Sequence, residues 1–119
     1  MSKPDIQSVI LNDLDTLLKA KSQHNGLNIE DVIEIGAYVG ASVLRSRFTA
    51  TKEIKDNDIN GVFGVIGNFY VQSFKGNFSQ VEFDTLLKRS LELLQQPTFD
   101  QDSISFFNTI LNLKPNSTS

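Results

Sequence analysis

Cysteine is absent from this 119-residue chain. That excludes disulfides, thiolate metal sites, iron–sulfur clusters and cysteine nucleophiles together, while leaving the compartment open. Tryptophan is missing too, and there is a single histidine, His24. One imidazole cannot build a histidine-rich metal centre. His24 sits in the polar run 22–27 beside Asn25 and Gly26, and no nucleophile-elbow motif is present to form a triad with it. It reads as a solvated loop residue. Nor does the chain hold a Glu-x-x-His pair of the kind di-iron bundles use.

Long apolar runs are also lacking. The best candidate, residues 62–71, is broken by Gly64, Gly67 and Asn68, and no window nears the ~20 apolar residues a membrane span requires. The opening Met1-Ser2-Lys3-Pro4-Asp5 leads into a polar-striped segment rather than the apolar core of a secretory signal. A cytoplasmic protein without membrane contact is the expectation. Excess charge is scarce as well: the net charge is -3, too small to hold the chain unfolded. Its acidic sign argues against general nucleic-acid binding, which needs a basic face.

What is present fits an ordinary globular core. With 39% hydrophobic residues, the chain can bury about 65% of the surface it exposes when unfolded. Residues 1–115 read as one helical domain and 116–119 as a mobile tail.

Periodicity organises the domain. Ile6, Val9, Ile10, Leu14, Leu17 and Leu18 recur at steps of three and four, so a first helix is expected over 4–20, with Leu11 at its rim. His24-Asn25-Gly26 supplies turn chemistry, and Asn28 reads as the N-cap of a second helix over 29–49. That helix is apolar most of the way round, the mark of a central element touched on several sides. Gly36, Ala37, Gly40 and Ala41 give it a thin face, with Gly36 and Gly40 stacked one above the other. Residues 49–58 are polar and read as a loop.

The segment 59–74 is ambiguous. Its aromatic and β-branched residues favour strand, and Gly61, Gly64 and Gly67 disfavour helix. Yet alternation fails, because neither alternate set is polar. A helical period works better, gathering Val62, Val65, Ile66, Phe69 and Ser73 on one side, with Asp58 as N-cap. Helix is the expectation; strand here would make the fold α+β. A helix stop follows at Gly76. Ser79 and Glu82 then fit a capping box, and Phe78 and Phe83 a hydrophobic staple, for a fourth helix ended by Pro97. Asp102 or Ser103 starts a last helix to about Leu113, before Pro115. The fold class is all-α, a compact bundle of about five helices.

Few residues offer chemistry. Asp13 and Asp15 point from different faces of the first helix and cannot act as a pair. Glu30, Asp31 and Glu34 crowd a helix start, where the dipole alone favours acids. Residues 56–63, Asp-Asn-Asp-Ile-Asn-Gly-Val-Phe, resemble the opening of an EF-hand calcium loop, but position twelve is Gly67 instead of a bidentate glutamate. A cap-rich turn is the better account, and no metal or cofactor is expected. The glycines of 61–67 match no phosphate-binding spacing and read as sites of close packing. Arg45 and Arg47, with Lys52 and Lys55 nearby, form a candidate basic contact that Glu53, Asp56 and Asp58 blunt.

With no catalytic constellation, the expected function is a non-catalytic protein-interaction module, either a homodimer or a small inhibitor or adaptor of another protein. Gly36, Gly40, Phe63, Phe69, Tyr70 and Phe74 are its candidate interaction face. The alternative is a helical sensor or carrier, with the Phe- and Gly-rich segment 59–74 lining an apolar pocket.

Overall fold

The structure, a computed structural model, describes residues 6–113, and for 6–10 and Asn25 the backbone only. The expected helix start at Pro4 and Asp5, the stop at Pro115 and the tail 116–119 lie outside the described residues. Five helices follow one another: α1 (Ile6–Asn25), α2 (Ile29–Thr51), α3 (Asp56–Phe74), α4 (Gln80–Leu94) and α5 (Phe99–Leu111). Among the described residues there is no strand, so 59–74 is helical and the all-α expectation holds.

α1 runs five residues beyond its expected end. The amide of Gly26 donates to the Ser22 carbonyl at 3.0 Å, and its φ of 82° turns the chain out of the helix. His24 therefore belongs to the last helical turn rather than to a loop. Asn28 caps α2 as expected. Its Oδ1 accepts from the Asp31 amide at 2.9 Å while Asp31 Oδ2 accepts from the Asn28 amide at 3.2 Å, satisfying two otherwise orphaned donors.

α2 is the axis of the bundle and packs against all four other helices. Val32, Ile35, Ala37, Val39, Ala41 and Leu44 are buried on its several sides. Leu14, Leu17 and Leu18 of α1, Phe63 and Ile66 of α3, Leu86 and Leu93 of α4 and Ile110 of α5 complete the core. Each large apolar side chain removed from water there contributes about 2 kcal/mol.

The closest approaches use missing side chains. A Cβ on Gly40 would run into the ring of Phe63, and one on Gly36 would stand 3.0 Å from Ile66 Cγ2 and 3.2 Å from Leu86 Cδ1. The thin face of α2 thus receives side chains from α3 and α4. This rotates the buried stripe of α3 relative to the expected one: Val62, Phe63, Ile66 and Gly67 are buried, Val65 and Phe69 half-buried, and Ser73 exposed. On α4 the small buried residue is Ser90, whose hydroxyl donates to the Leu86 carbonyl at 2.9 Å and faces the Ala37 carbonyl at 3.4 Å.

Several caps differ from their expected form. α3 begins at Asp56, so Asp58 is not the N-cap; it lies in the first turn and accepts from the Lys55 amide at 3.1 Å. Ser79 occupies the N-cap of α4 but makes no side-chain capping bond, so the predicted box with Glu82 does not close; Gln80 instead donates to Asp84 at 2.9 Å. The residue of left-handed conformation after α3 is Lys75, at φ 54°, rather than Gly76. Gly76 is needed for another reason: its bare Cα lies against the ring of Tyr70. The N-cap position of α5 is Thr98, four residues before Asp102, so neither Asp102 nor Ser103 caps the helix; Asp102 accepts from the Thr98 hydroxyl at 2.7 Å.

Candidate functional site

The fold divides the expected interaction face in two. Gly36, Gly40 and Phe63 lie inside the molecule, where α3 and α4 close on α2. In this folded state they are covered by the chain itself and present no surface to another one. Phe69, Tyr70 and Phe74 lie at the other end of α3, each half-buried. The reason is positional: Phe63 enters the notch at Gly40, while α3 beyond Gly67 runs on to the turn leading into α4.

At that turn the three aromatics meet a fourth, Phe78. Ring centroids are 6.2 Å apart for Phe69 and Phe74, 6.3 Å for Tyr70 and Phe74, and 6.3 Å for Tyr70 and Phe78. Two edge-on contacts and one stacked contact make a cohesive cluster, since aromatic pairs prefer these arrangements. The Phe78 ring also covers Gly67, where a Cβ would lie 2.9 Å away. Gly61 and Gly64 meet nothing within 4 Å, so close packing explains Gly67 but not its two neighbours. Beside the cluster runs a groove of about 210 Å³, lined by Gly64, Asn68, Val71, Phe78, Gln80 and Phe83 among others. The expected staple partners Phe78 and Phe83 both border it. Val71 is 40% exposed, and Val81, on the next helix, 72% exposed.

The basic pair is neutralised within the fold. Arg45 Nε lies 3.6 Å from Asp100 of α5, and Arg47 Nε lies 3.5 Å from Asp58 of α3. Each arginine links the end of α2 to a different neighbour; Asp58 is among the acids expected to blunt the pair, whereas Asp100, 55 positions beyond Arg45, is not legible from sequence proximity. A stronger pair joins α2 and α4. Arg89 donates through Nη2 to Glu34 Oε1 at 2.9 Å and through Nε to Oε1 at 3.1 Å and Oε2 at 3.3 Å, so that one edge of the guanidinium faces both carboxylate oxygens. The Glu34 hydrogen bond raises the Arg89 pKa above its ordinary value against the opposing effect of burial. One turn on, Tyr38 stacks on Phe106 with centroids 4.0 Å apart, and burial together with the Glu34 charge raises the pKa of its phenol. Sequence reasoning assigned Glu34 to the helix dipole and missed the pair, because its partner is 55 residues away.

The calcium-loop resemblance has no structural counterpart, because residues 56–63 are the first two turns of α3 and a helix cannot wrap its own side chains round one ion. Among the described residues, no three of His, Asp and Glu converge on one point. No helix of the described residues is long and apolar enough to cross a membrane.

Two further depressions lie between α1, α2 and α5, unforeseen in the sequence. One, of about 300 Å³, is lined by Asn12, Asp13, Thr16, Leu17, Phe107 and Leu111. The other, of about 320 Å³, is bordered by Asp13, Val39, Val43, Arg47, Ala50 and Phe107 among others. Compared with protein-family models, with curated proteins and with solved structures, the chain finds no match in any of the three.

Proposed function

We propose that this chain is a non-catalytic protein-interaction module of the cytoplasm, and that its contact face is the aromatic corner where α3 turns into α4. The observation that carries this reading is the cluster of Phe69, Tyr70, Phe74 and Phe78, held together by ring contacts yet only half-buried. Val71 near the end of α3 and Val81 in the first turn of α4 are exposed apolar residues on either side of the same turn. Aromatic residues are the side chains that most often anchor protein interfaces, since they bring large contact area at low entropic cost.

Self-association is the simplest form of the proposal, with the corner of one copy meeting that of another about a two-fold axis. Sedimentation equilibrium across the micromolar range tests it. The expected result is an average mass that climbs with concentration and returns to the monomer value in Val81→Glu, a change at an exposed position that leaves the fold intact. A strict monomer at all concentrations removes the homodimer and leaves only a different protein as partner. Identical behaviour of wild type and Val81→Glu, with the mass still climbing, removes the corner as the face.

The carrier reading finds less support at its expected place. The groove along the glycines of α3 is smaller than either depression beside α1 and carries as much polar as apolar lining.

A further inference from the structure

The two depressions between α1, α2 and α5 share two residues, Asp13 and Phe107. They therefore adjoin, with a carboxylate and an aromatic ring at their common boundary. Each is near the lower limit of small-ligand pockets, and together they match a molecule of modest size. The α2-side depression is the more apolar, walled by Val39, Val43, Ala50 and Phe107.

Charge around this boundary is uneven. Asp15 is paired with Lys19 at 3.0 Å on the same helix, and Arg47, which also lines the α2-side depression, is engaged by Asp58. Asp13 alone has neither a cation nor a hydrogen-bond donor among the described residues. Asp13 is itself exposed; the partial cover of its surroundings raises its pKa above the ordinary carboxylate value, with no opposing charge to hold it down. A carboxylate without a partner gains modestly from any cation that pairs with it. It remains accessible from solvent, so such a cation can reach it.

We propose that the adjoining depressions form a binding site for a small aliphatic amine. The ammonium group sits on the Asp13 carboxylate, and the alkyl chain lies along Phe107 into the Val39–Val43–Ala50 wall. The chemistry is that of an amphiphile with a positive head: the head meets the one uncompensated charge of the groove, the chain its apolar lining. The site shares no lining residue with the aromatic corner, so it stands or falls apart from the interaction proposal.

Titrating the intact chain with n-octylamine, n-octanol and octanoate below their aggregation limits, followed by amide NMR, tests the proposal. Octylamine should shift the amides around Asp13, Val43 and Phe107 and bind about fivefold tighter than octanol, the gain expected of one partly exposed ion pair. Octanoate should bind more weakly than both. Asp13→Asn should bring octylamine down to the octanol level, and Ala50→Trp, which fills the wall from an exposed position, should weaken both ligands alike. Equal affinity for amine and alcohol, an octylamine affinity unchanged in Asp13→Asn, or shifts confined to other parts of the molecule would each overturn it.

Discussion

The two flanks of α2 are built on opposite terms. Toward α3 and α4 the helix offers Gly36, Ala37, Gly40 and Ala41, and its neighbours move in until Phe63, Ile66 and Leu86 occupy the space where side chains would have been. Toward α1 and α5, in its second half, it offers Val39, Ser42, Val43 and Ser46, and the neighbours leave a groove open at the surface. Removing side chains from one flank produced contact; retaining medium-sized ones on the other produced a gap. Thickness of the central helix, more than hydrophobicity alone, decides which side of this bundle is closed.

Gly40→Leu attacks the closed flank most directly. The new side chain must displace a ring that has no room to move, so a loss of about 3 kcal/mol or outright failure to fold is expected, read from urea denaturation. A stable Gly40→Leu variant would show that α3 can shift away from α2 at little cost. Gly64→Ala sharpens the contrast from the opposite side. A Cβ there meets nothing within 4 Å, so the better helix propensity of alanine should raise stability by up to ~1 kcal/mol. If both substitutions move the melting temperature in the same direction, the distinction between a filled and an open glycine fails.

Arg89→Ala probes the polar seam on the closed flank. Both partners are about one-third exposed, so solvent screens the pair, and a loss near 1 kcal/mol is expected, shrinking as salt is added. A double-mutant cycle with Glu34→Gln isolates the pairwise part; a coupling of zero would reduce the pair to surface decoration.

The smallest effect belongs to the open flank. Because the folded-state pKa of Asp13 lies above its unfolded value, the folded protein holds that proton more tightly, and the ionised group costs stability at neutral pH. The cost is relieved as pH falls through the folded-state pKa and is gone below the unfolded one. Asp13→Asn should therefore stabilise the chain slightly at pH 7, an effect that solvent screening of this exposed group keeps small, with the gain vanishing near pH 3. Chemical denaturation at the two pH values checks the sign; a gain that persists in acid would exclude the burial of charge as its cause.

How far the amino-acid pattern could be read follows the same division. Elements whose signals are local were legible: the Asn28 cap, the turn at Gly26, the central position of α2 and the helical period of α3 that prevailed over its β-branched composition. The buried side of α3 was legible only in part. Phe63 lies off the stripe that a regular period selects, and it is buried because a notch 23 positions earlier in the chain accepts it. The same limit applies to the candidate site. Phe69, Tyr70 and Phe74 could be picked out by composition, but their separation from Gly36 and Gly40 depends on which end of α3 meets α2. Asp13 drew attention in the sequence only as half of an unworkable pair; its setting is made by Phe107 and Val43, both far along the chain.

The fit of the Phe63 ring against the bare Cα of Gly40 has an evolutionary corollary. Neither position is free to drift alone: a methyl group at 40 leaves no berth for the ring, and a smaller side chain at 63 leaves a void on α2. In any set of descendants of this fold, the two sites should change in concert, alanine or serine at the first appearing with leucine or valine at the second.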